Sequence, residues 1–170
     1  MNQPDGSVLL YDFRDAAAVN GWSAIDDRVM GGVSRSELRH DQAGHAVFEG
    51  TVSLERNGGF ASVRSSPGAH GKPGAVACAI EVRGHGRQFK LSLLTDDATD
   101  SPNYQCGFAP GGEGWQMIRL PLTAFSASFR GRGVPGAPPL DPARIRQLGL
   151  MIAARQAGPF AVDIRRISLF

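Results

Sequence analysis

The chain of 170 residues lacks several features that would assign it to a class at once. Its only two cysteines, Cys78 and Cys106, form no Cys-x-x-Cys pair and no Cys/His metal spacing, so we expect buried free thiols. No apolar run approaches the ~20 residues that span a bilayer. The first six residues lack the basic start and apolar stretch of a secretory signal. We therefore predict a cytoplasmic protein without direct membrane insertion.

The chain also lacks a surplus of charge of one sign. Its formal net charge is only +2, and lysine is scarce, at Lys72 and Lys90 alone. No basic run is longer than the pair Arg165-Arg166. Proteins that bind nucleic acid by neutralising phosphates concentrate their basic residues in a patch or stripe. We therefore expect no nucleic-acid partner.

The residues that are abundant are those of turns and strands. The chain has 22 glycines and 11 prolines, and short runs of alternating polarity recur between them. Strands at intervals of roughly 8–12 residues, separated by turn residues, are typical of an all-β sandwich or barrel. No linker divides the chain, so we predict one domain over residues 1–170. The strand-like runs are 8–13, 34–40, 46–53, 61–65, 75–83, 88–95, 104–109, 115–122, 147–153 and 159–170.

Three local patterns sharpen this prediction. Asn57-Gly58 lies between two strand-like runs, which predicts a type I′ hairpin because both residues tolerate positive φ. Asp141 followed by Pro142 predicts a capped helical turn. The alternation of the last strand changes phase after Ile164, as a β-bulge produces.

Three longer stretches resemble a known family. They are Trp-Ser-Ala-Ile-Asp-Asp-Arg-Val-Met-Gly-Gly-Val-Ser-Arg-Ser at 22–36, Asn-Gly-Gly-Phe-Ala-Ser-Val-Arg at 57–64, and the stretch 115–125 with its continuation to Gly158-Pro159-Phe160. From Tyr11 to Ile167 the chain resembles the complex I intermediate-associated protein 30 family. The resemblance implies a galactose-binding-like jelly roll, a β-sandwich of two antiparallel sheets. Mitochondrial members act as assembly factors for respiratory complex I, which implies a non-catalytic binding or assembly module with a protein partner, such as a respiratory-complex subunit.

Seven residues are candidates for binding this partner through loops and one concave sheet face: Asp27, Met30, Ser34, Arg64, Tyr104, Gln105 and Arg130. Asp27 and Arg64 would fix polar groups of the partner. If the stretches 22–36 and 57–64 are neighbours in a sheet, Asp27, Ser34 and Arg64 would meet on one concave face. A structural ion pair between Asp27 and Arg64 would leave the same pattern in the sequence.

The other candidates supply different chemistry. Met30 would offer an adaptable apolar contact. Tyr104 would offer flat apolar area beside Gln105. Arg130 lies in a glycine loop that suits a carboxylate or phosphate, although a solvated basic loop is the ordinary alternative.

Two other functions stay open. A carbohydrate-binding module would recognise a glycan on the concave face and would need an exposed aromatic ring beside polar groups. An enzyme is disfavoured, because the chain has no Gly-x-Ser-x-Gly motif and no His spacing for a metal. The acidic loop 96–103 could hold a structural calcium, but a solvated turn is the commoner outcome. We expect no catalytic residue, no metal and no cofactor.

Overall fold

The computed structural model describes residues 6–25, 32–84, 86–95, 103–129 and 132–170. The strands in these ranges form two antiparallel sheets. In chain order they are β1 (Val8–Asp12), β2 (Ser23–Ala24), β3 (Arg35–Asp41), β4 (His45–Val52), β5 (Ala61–Arg64), β6 (Ala77–Arg83), β7 (Phe89–Thr95), β8 (Asn103–Phe108), β9 (Gln116–Pro121), β10 (Ser126–Phe129), β11 (Arg132–Gly133), β12 (Ile145–Ile152) and β13 (Gly158–Leu169).

The first sheet is organised around the long strand β13. Its order is β3-β4-β13-β6-β9, with β1 also paired to β13. The first half of β13 pairs with β4, from Gly158 opposite Val52 onwards, and the second half pairs with β6. The register shifts between Ile164 and Arg166, so the predicted β-bulge is confirmed.

The second sheet has the order β11-β10-β8-β7-β12-β5-β2. Its strands alternate a buried apolar residue with an outward polar or small one, because successive side chains point to opposite faces of a sheet. The buried residues pack against the first sheet around aromatic rings. Phe48 of the first sheet lies with its ring centroid 6.1 Å from that of Phe89 in the second sheet and 5.1 Å from that of Phe160. The predicted sandwich of two antiparallel sheets is confirmed.

The hairpin predicted at Asn57-Gly58 is wrong. The strand before it, β4, belongs to the first sheet, and the strand after it, β5, belongs to the second. Gly58 has φ −66°, and the positive φ values fall instead on Arg56 (52°) and Gly59 (128°). The connection crosses from one layer to the other, because the two flanking strands have different sheet partners.

Two other local predictions hold. Residues Pro142–Arg144 form a single 3₁₀ turn, and the Asp141 carboxylate accepts a hydrogen bond from the backbone N–H of Ala143 at 3.0 Å. Cys78 is a free, fully buried thiol, and burial raises its pKa to about 12. Cys106 is also free but only half-buried, so it meets the prediction in part.

The described residues lack two further features. None of the helices there combines the length and the apolar character needed to pass through a membrane. In the same residues, no group of three or more His, Cys, Asp or Glu side chains is arranged to hold a metal ion.

Candidate functional site

The outer face of the second sheet carries one continuous row of residues drawn from six strands. The strand registers place them side by side across the sheet, each directly opposite the next. All of them lie on the face of the sheet turned away from the core, since successive side chains of a strand point to opposite faces. Gly149 and Ser92 are buried on that face, and the other four are half-buried or exposed. This polar row consists of Ser23, Arg64, Gly149, Ser92, Gln105 and Ser126.

Arg64 lies near the middle of the polar row and is half-buried. A Cβ atom on Gly149 would stand 3.4 Å from Arg64 Cγ and 3.4 Å from Ser92 Cβ, so the missing side chain leaves room for the arginine stem over the sheet. No described residue pairs with the guanidinium group. Burial lowers the pKa of Arg64 from its usual 12.5. Arginine nevertheless stays charged at neutral pH.

Gln105 lies in the polar row on β8, on the side of Ser92 away from Arg64, and its side chain is held by two contacts. Its Nε2 donates a hydrogen bond to Ser92 Oγ at 3.2 Å and lies 3.9 Å from Met151 Sδ. Met151 belongs to the adjacent row on the same face, in which Ser62, Met151, Lys90 and Gly107 stand opposite one another. Residues two apart in a strand lie ~7 Å from each other, which sets the spacing between the two rows.

A cavity of about 250 Å³ lies beyond the Lys90 row, where β7, β8 and β12 approach the end of the sheet. Its walls include Gln88, Lys90, Gly107, Ala153, Ala154 and Gln156. The loop on this side is tied down by Gln156, which exchanges hydrogen bonds with the Gln88 backbone in both directions, at 2.9 and 2.8 Å. The cavity therefore has a fixed rim and continues the face that carries the polar row.

Charge is distributed very differently over the two sheets. No strand of the second sheet contains Asp or Glu, whereas Arg64 and Lys90 both project from its outer face. In the first sheet the acidic residues stand next to basic ones. Asp163 lies 2.8 Å from Arg83, and Glu49 lies 2.6 Å from Arg39. Among the described strands, those of the second sheet thus carry basic residues and no acidic ones, whereas those of the first sheet carry both.

Two of the seven predicted binding residues lie in the polar row, namely Arg64 and Gln105. Tyr104 does not lie on that face, which corrects its expected role. Strand alternation turns its ring into the core, where the residue is 4% exposed and its hydroxyl donates to the Pro138 carbonyl at 2.8 Å. A ring in that position has no flat area to offer a ligand.

Ser34 is also corrected. It is fully buried just before β3, where its Oγ accepts from the Ser53 backbone N–H at 2.9 Å and donates to the Ser53 carbonyl at 3.3 Å. It bridges two backbone segments next to the first sheet and is not accessible to a partner. Its hydrogen-bonding capacity serves the fold.

Three candidates, Asp27, Met30 and Arg130, lie outside the described residues. The chain that leads towards the first two runs beside β5, since Ser23 pairs with Arg64 and the Ile25 N–H donates to the Ser62 carbonyl at 2.8 Å. The expected roles of these three residues stay predictions.

Four residues of this face were not among those predicted from the sequence: Ser92, Gly149, Lys90 and Met151. A signal was present, because Lys90 and Ser92 alternate with the apolar residues of the 88–95 run. Extending the same alternation to 147–152 places Gly149 and Met151 on the outer face. That these two strands are neighbours could not be read from their sequences.

The aromatic rings lie elsewhere. Trp115 is half-buried outside the first sheet, with Arg165 4.1 Å and Arg83 4.7 Å from its ring centroid. Trp22 packs edge-on against Tyr11 and Phe13. With Tyr104 buried, neither tyrosine and neither tryptophan offers a ring on the outer face of the second sheet.

Residues 11–164 match the family described as complex I intermediate-associated protein 30. The chain belongs to this family. It is 25% identical over 191 residues to the Drosophila melanogaster protein named "Complex I intermediate-associated protein 30, mitochondrial", covering 98% of this chain and 64% of that one. The Mus musculus protein of the same name is 25% identical over 182 residues, covering 95% of this chain and 56% of that one. The chain thus spans about three fifths of the length of these curated relatives.

The relatives' names correct the predicted location. Both the fly and the mouse protein are named as mitochondrial. The cytoplasmic location that the sequence suggested is therefore contradicted, because relatives across nearly the whole chain point to mitochondria.

Several solved structures with the same fold are carbohydrate-binding modules. The family 11 module of the Clostridium thermocellum cellulase Lic26A-Cel5E superimposes with a TM-score of 0.72 at 15% identity, covering 97% of this chain and 94% of that one. The agarase AgWH50C contains a similar region, with a TM-score of 0.58 at 13% identity, covering 96% of this chain and 24% of that one. At such identities the likeness shows the fold alone, and the predicted jelly roll is confirmed.

Proposed function

We propose that this chain is a non-catalytic binding module that holds a protein partner during the assembly of a respiratory or other membrane-associated complex. Family membership supports an assembly role, since two relatives are named for complex I intermediates. The polar row supplies the contact surface. No step of bond making or breaking is assigned to any residue.

The observation that carries this proposal is the Arg64 guanidinium, which is half-buried over Gly149 and has no partner among the described residues. Burying a charge costs free energy unless hydrogen bonds or an opposite charge replace the lost water. A partner that brings an acceptor to this position offsets that cost. Arginine in such a setting is a frequent binding hot spot in protein interfaces.

A carbohydrate-binding module is the second candidate. The fold is shared with such modules, and one of the solved structures is described as a complex with a β-1,3-1,4-linked tetrasaccharide. Sugar rings, however, are commonly held by a stacked aromatic side chain, and the outer face of the second sheet presents no tyrosine or tryptophan ring. The Trp115 ring is already occupied by Arg83 and Arg165. We therefore rank the protein partner first.

Replacing Arg64 by alanine is expected to lower recovery of the native partner by about thirtyfold, since a hot-spot arginine contributes roughly 2 kcal/mol. The measurement is affinity purification of tagged full chain from its native cells, with respiratory-complex subunits quantified by mass spectrometry. Arg119→Ala is the matched control. It removes an exposed arginine from the outer face of the first sheet and should leave recovery unchanged.

Equal recovery by the Arg64→Ala and unchanged chains would contradict the proposed surface. A glycan panel run in parallel separates the second candidate. Saturable binding to a glycan that is lost in Arg64→Ala, without recovery of any respiratory subunit, would show a carbohydrate module.

A further inference from the structure

We infer that the outer face of the second sheet binds an extended acidic peptide segment of the partner, with one carboxylate at Arg64 and a second at Lys90. The inference rests on the proposed function and specifies the chemistry of the bound segment. It follows from three features of the face: its charge, the spacing of Arg64 and Lys90, and the two glycines beside them.

The charge of the face selects an anionic partner. The strands of the second sheet hold no Asp or Glu, so neither Arg64 nor Lys90 has an acidic neighbour within its own sheet. On the first sheet, by contrast, Arg83 and Arg39 are matched by Asp163 and Glu49. Complementary charge at a partly desolvated surface gives both faster association and specificity.

The spacing of the two cations sets the spacing of the carboxylates. Arg64 lies on β5 and Lys90 on β7, with β12 between them, and their rows are separated by two residues. Neighbouring strands are ~4.8 Å apart and two residues of a strand span ~7 Å, so the two Cα atoms lie ~12 Å apart. An extended peptide covers that distance in four residues, since each adds ~3.3 Å, and its residues i and i+4 point to the same side.

The floor of the face allows a peptide backbone to approach closely. Gly149 presents no side chain between Arg64 and Ser92, and Gly107 presents none beside Lys90, so the Met151 side chain is the one that rises between the two rows. The half-buried Gln105 offers its amide along the same path, and the Ser92 hydroxyl, which is only 4% exposed, holds that amide in place. The cavity of about 250 Å³ beyond Lys90 has room for one apolar side chain of the segment. A bound phosphate or single sugar would use only one of these features.

The test is an NMR titration of the full ¹⁵N-labelled chain with three nine-residue peptides. The first carries Glu at its third and seventh positions and is otherwise serine and valine. The second has Gln, and the third Lys, at those two positions. We expect saturable shifts at Ser92, Gln105 and Lys90 with the acidic peptide, binding at least tenfold weaker for the Gln peptide, and none for the Lys peptide. Affinity should fall as NaCl rises, because salt screens charge pairs.

Single substitutions test which residues of the chain contact the peptide. Arg64→Ala should weaken the acidic peptide about tenfold and Lys90→Ala about threefold, whereas Arg119→Ala should leave its affinity unchanged. A ¹H–¹⁵N spectrum of each variant confirms that it remains folded. Arg64→Lys keeps the charge and should restore part of the affinity, which a merely structural role of Arg64 would not produce.

The inference is overturned if the Glu and Gln peptides bind with equal affinity, or if the acidic peptide causes no saturable shift on this face. It is also overturned if the acidic peptide does not bind and a mixed-linkage glucan tetrasaccharide shifts the same residues. The two proposals fail separately. If Arg64→Ala still loses the native partner while the acidic peptide shows no preference, the inference falls and the proposed function stands. If the acidic peptide binds as expected while Arg64→Ala retains the native partner, the proposed function falls.

Discussion

Replacing Gly149 by valine is expected to abolish partner binding while leaving the chain folded. A Cβ at this position meets Arg64 Cγ, Ser92 Cβ and the Val63 carbonyl oxygen all at 3.4 Å, which is contact distance without a hard clash. The added methyl groups would then push the Arg64 stem off the sheet and fill the floor of the polar row. We expect recovery of the partner to fall by about thirtyfold or more, which corresponds to roughly 2 kcal/mol. Overpacking should cost about 1–2 kcal/mol of unfolding free energy.

The matched control places valine on the other sheet. Thr51→Val changes an exposed residue on the outer face of β4 and should alter neither binding nor stability measurably. Thermal unfolding by circular dichroism and partner recovery are measured for both variants. If Gly149→Val binds the partner as well as the unchanged chain does, the polar row is not the contact surface.

Replacing Gly50 by alanine should have the opposite effect, a large loss of stability. A Cβ on Gly50 would lie 1.9 Å from the Arg35 carbonyl oxygen and 2.8 Å from Ser36 Cα, both in the backbone of β3. Because backbone cannot rotate aside as a side chain can, β3 must separate from β4. We expect a loss of about 3 kcal/mol. For a chain of this length that lowers the melting temperature by roughly 10 °C.

Gly111→Ala is the control for this change. Nothing lies within 4 Å of a Cβ at Gly111, and its φ is not in the left-handed region. The melting temperature of the Gly111→Ala chain should match that of the unchanged chain. A Gly50→Ala chain that melts at the same temperature as Gly111→Ala would contradict the close approach of β3 to β4.

Much of the fold could be predicted from the sequence because strand alternation is a local property. The phase change after Ile164 and the Asp141-Pro142 turn are both encoded within a few residues, and both are confirmed. The Asn57-Gly58 hairpin failed for a physical reason. A turn signal describes the chain locally, but it does not say whether the two flanking strands pair with each other or with different sheets.

The candidate site, like the fold, could be predicted from the sequence only in part. Arg64 could be proposed because it ends the family-like stretch 57–64, and Gln105 because it follows Tyr104. Tyr104 was paired with Gln105 as one contact, yet adjacent strand residues point to opposite faces, so only one of them could face a partner. The row that joins Arg64 to Ser92 and Gln105 depends on β5, β12, β7 and β8 lying side by side. Those long-range pairings are set by the whole sandwich.

The most direct test of the central claim is site-specific photo-crosslinking in the native cell. A benzoylphenylalanine residue replaces Lys90 on the outer face of the second sheet in one chain and Arg119 on the outer face of the first sheet in another. The account predicts a crosslink to a respiratory-complex subunit from position 90 and none from position 119. A crosslink to that subunit from position 119 alone would place the partner on the opposite sheet and contradict it.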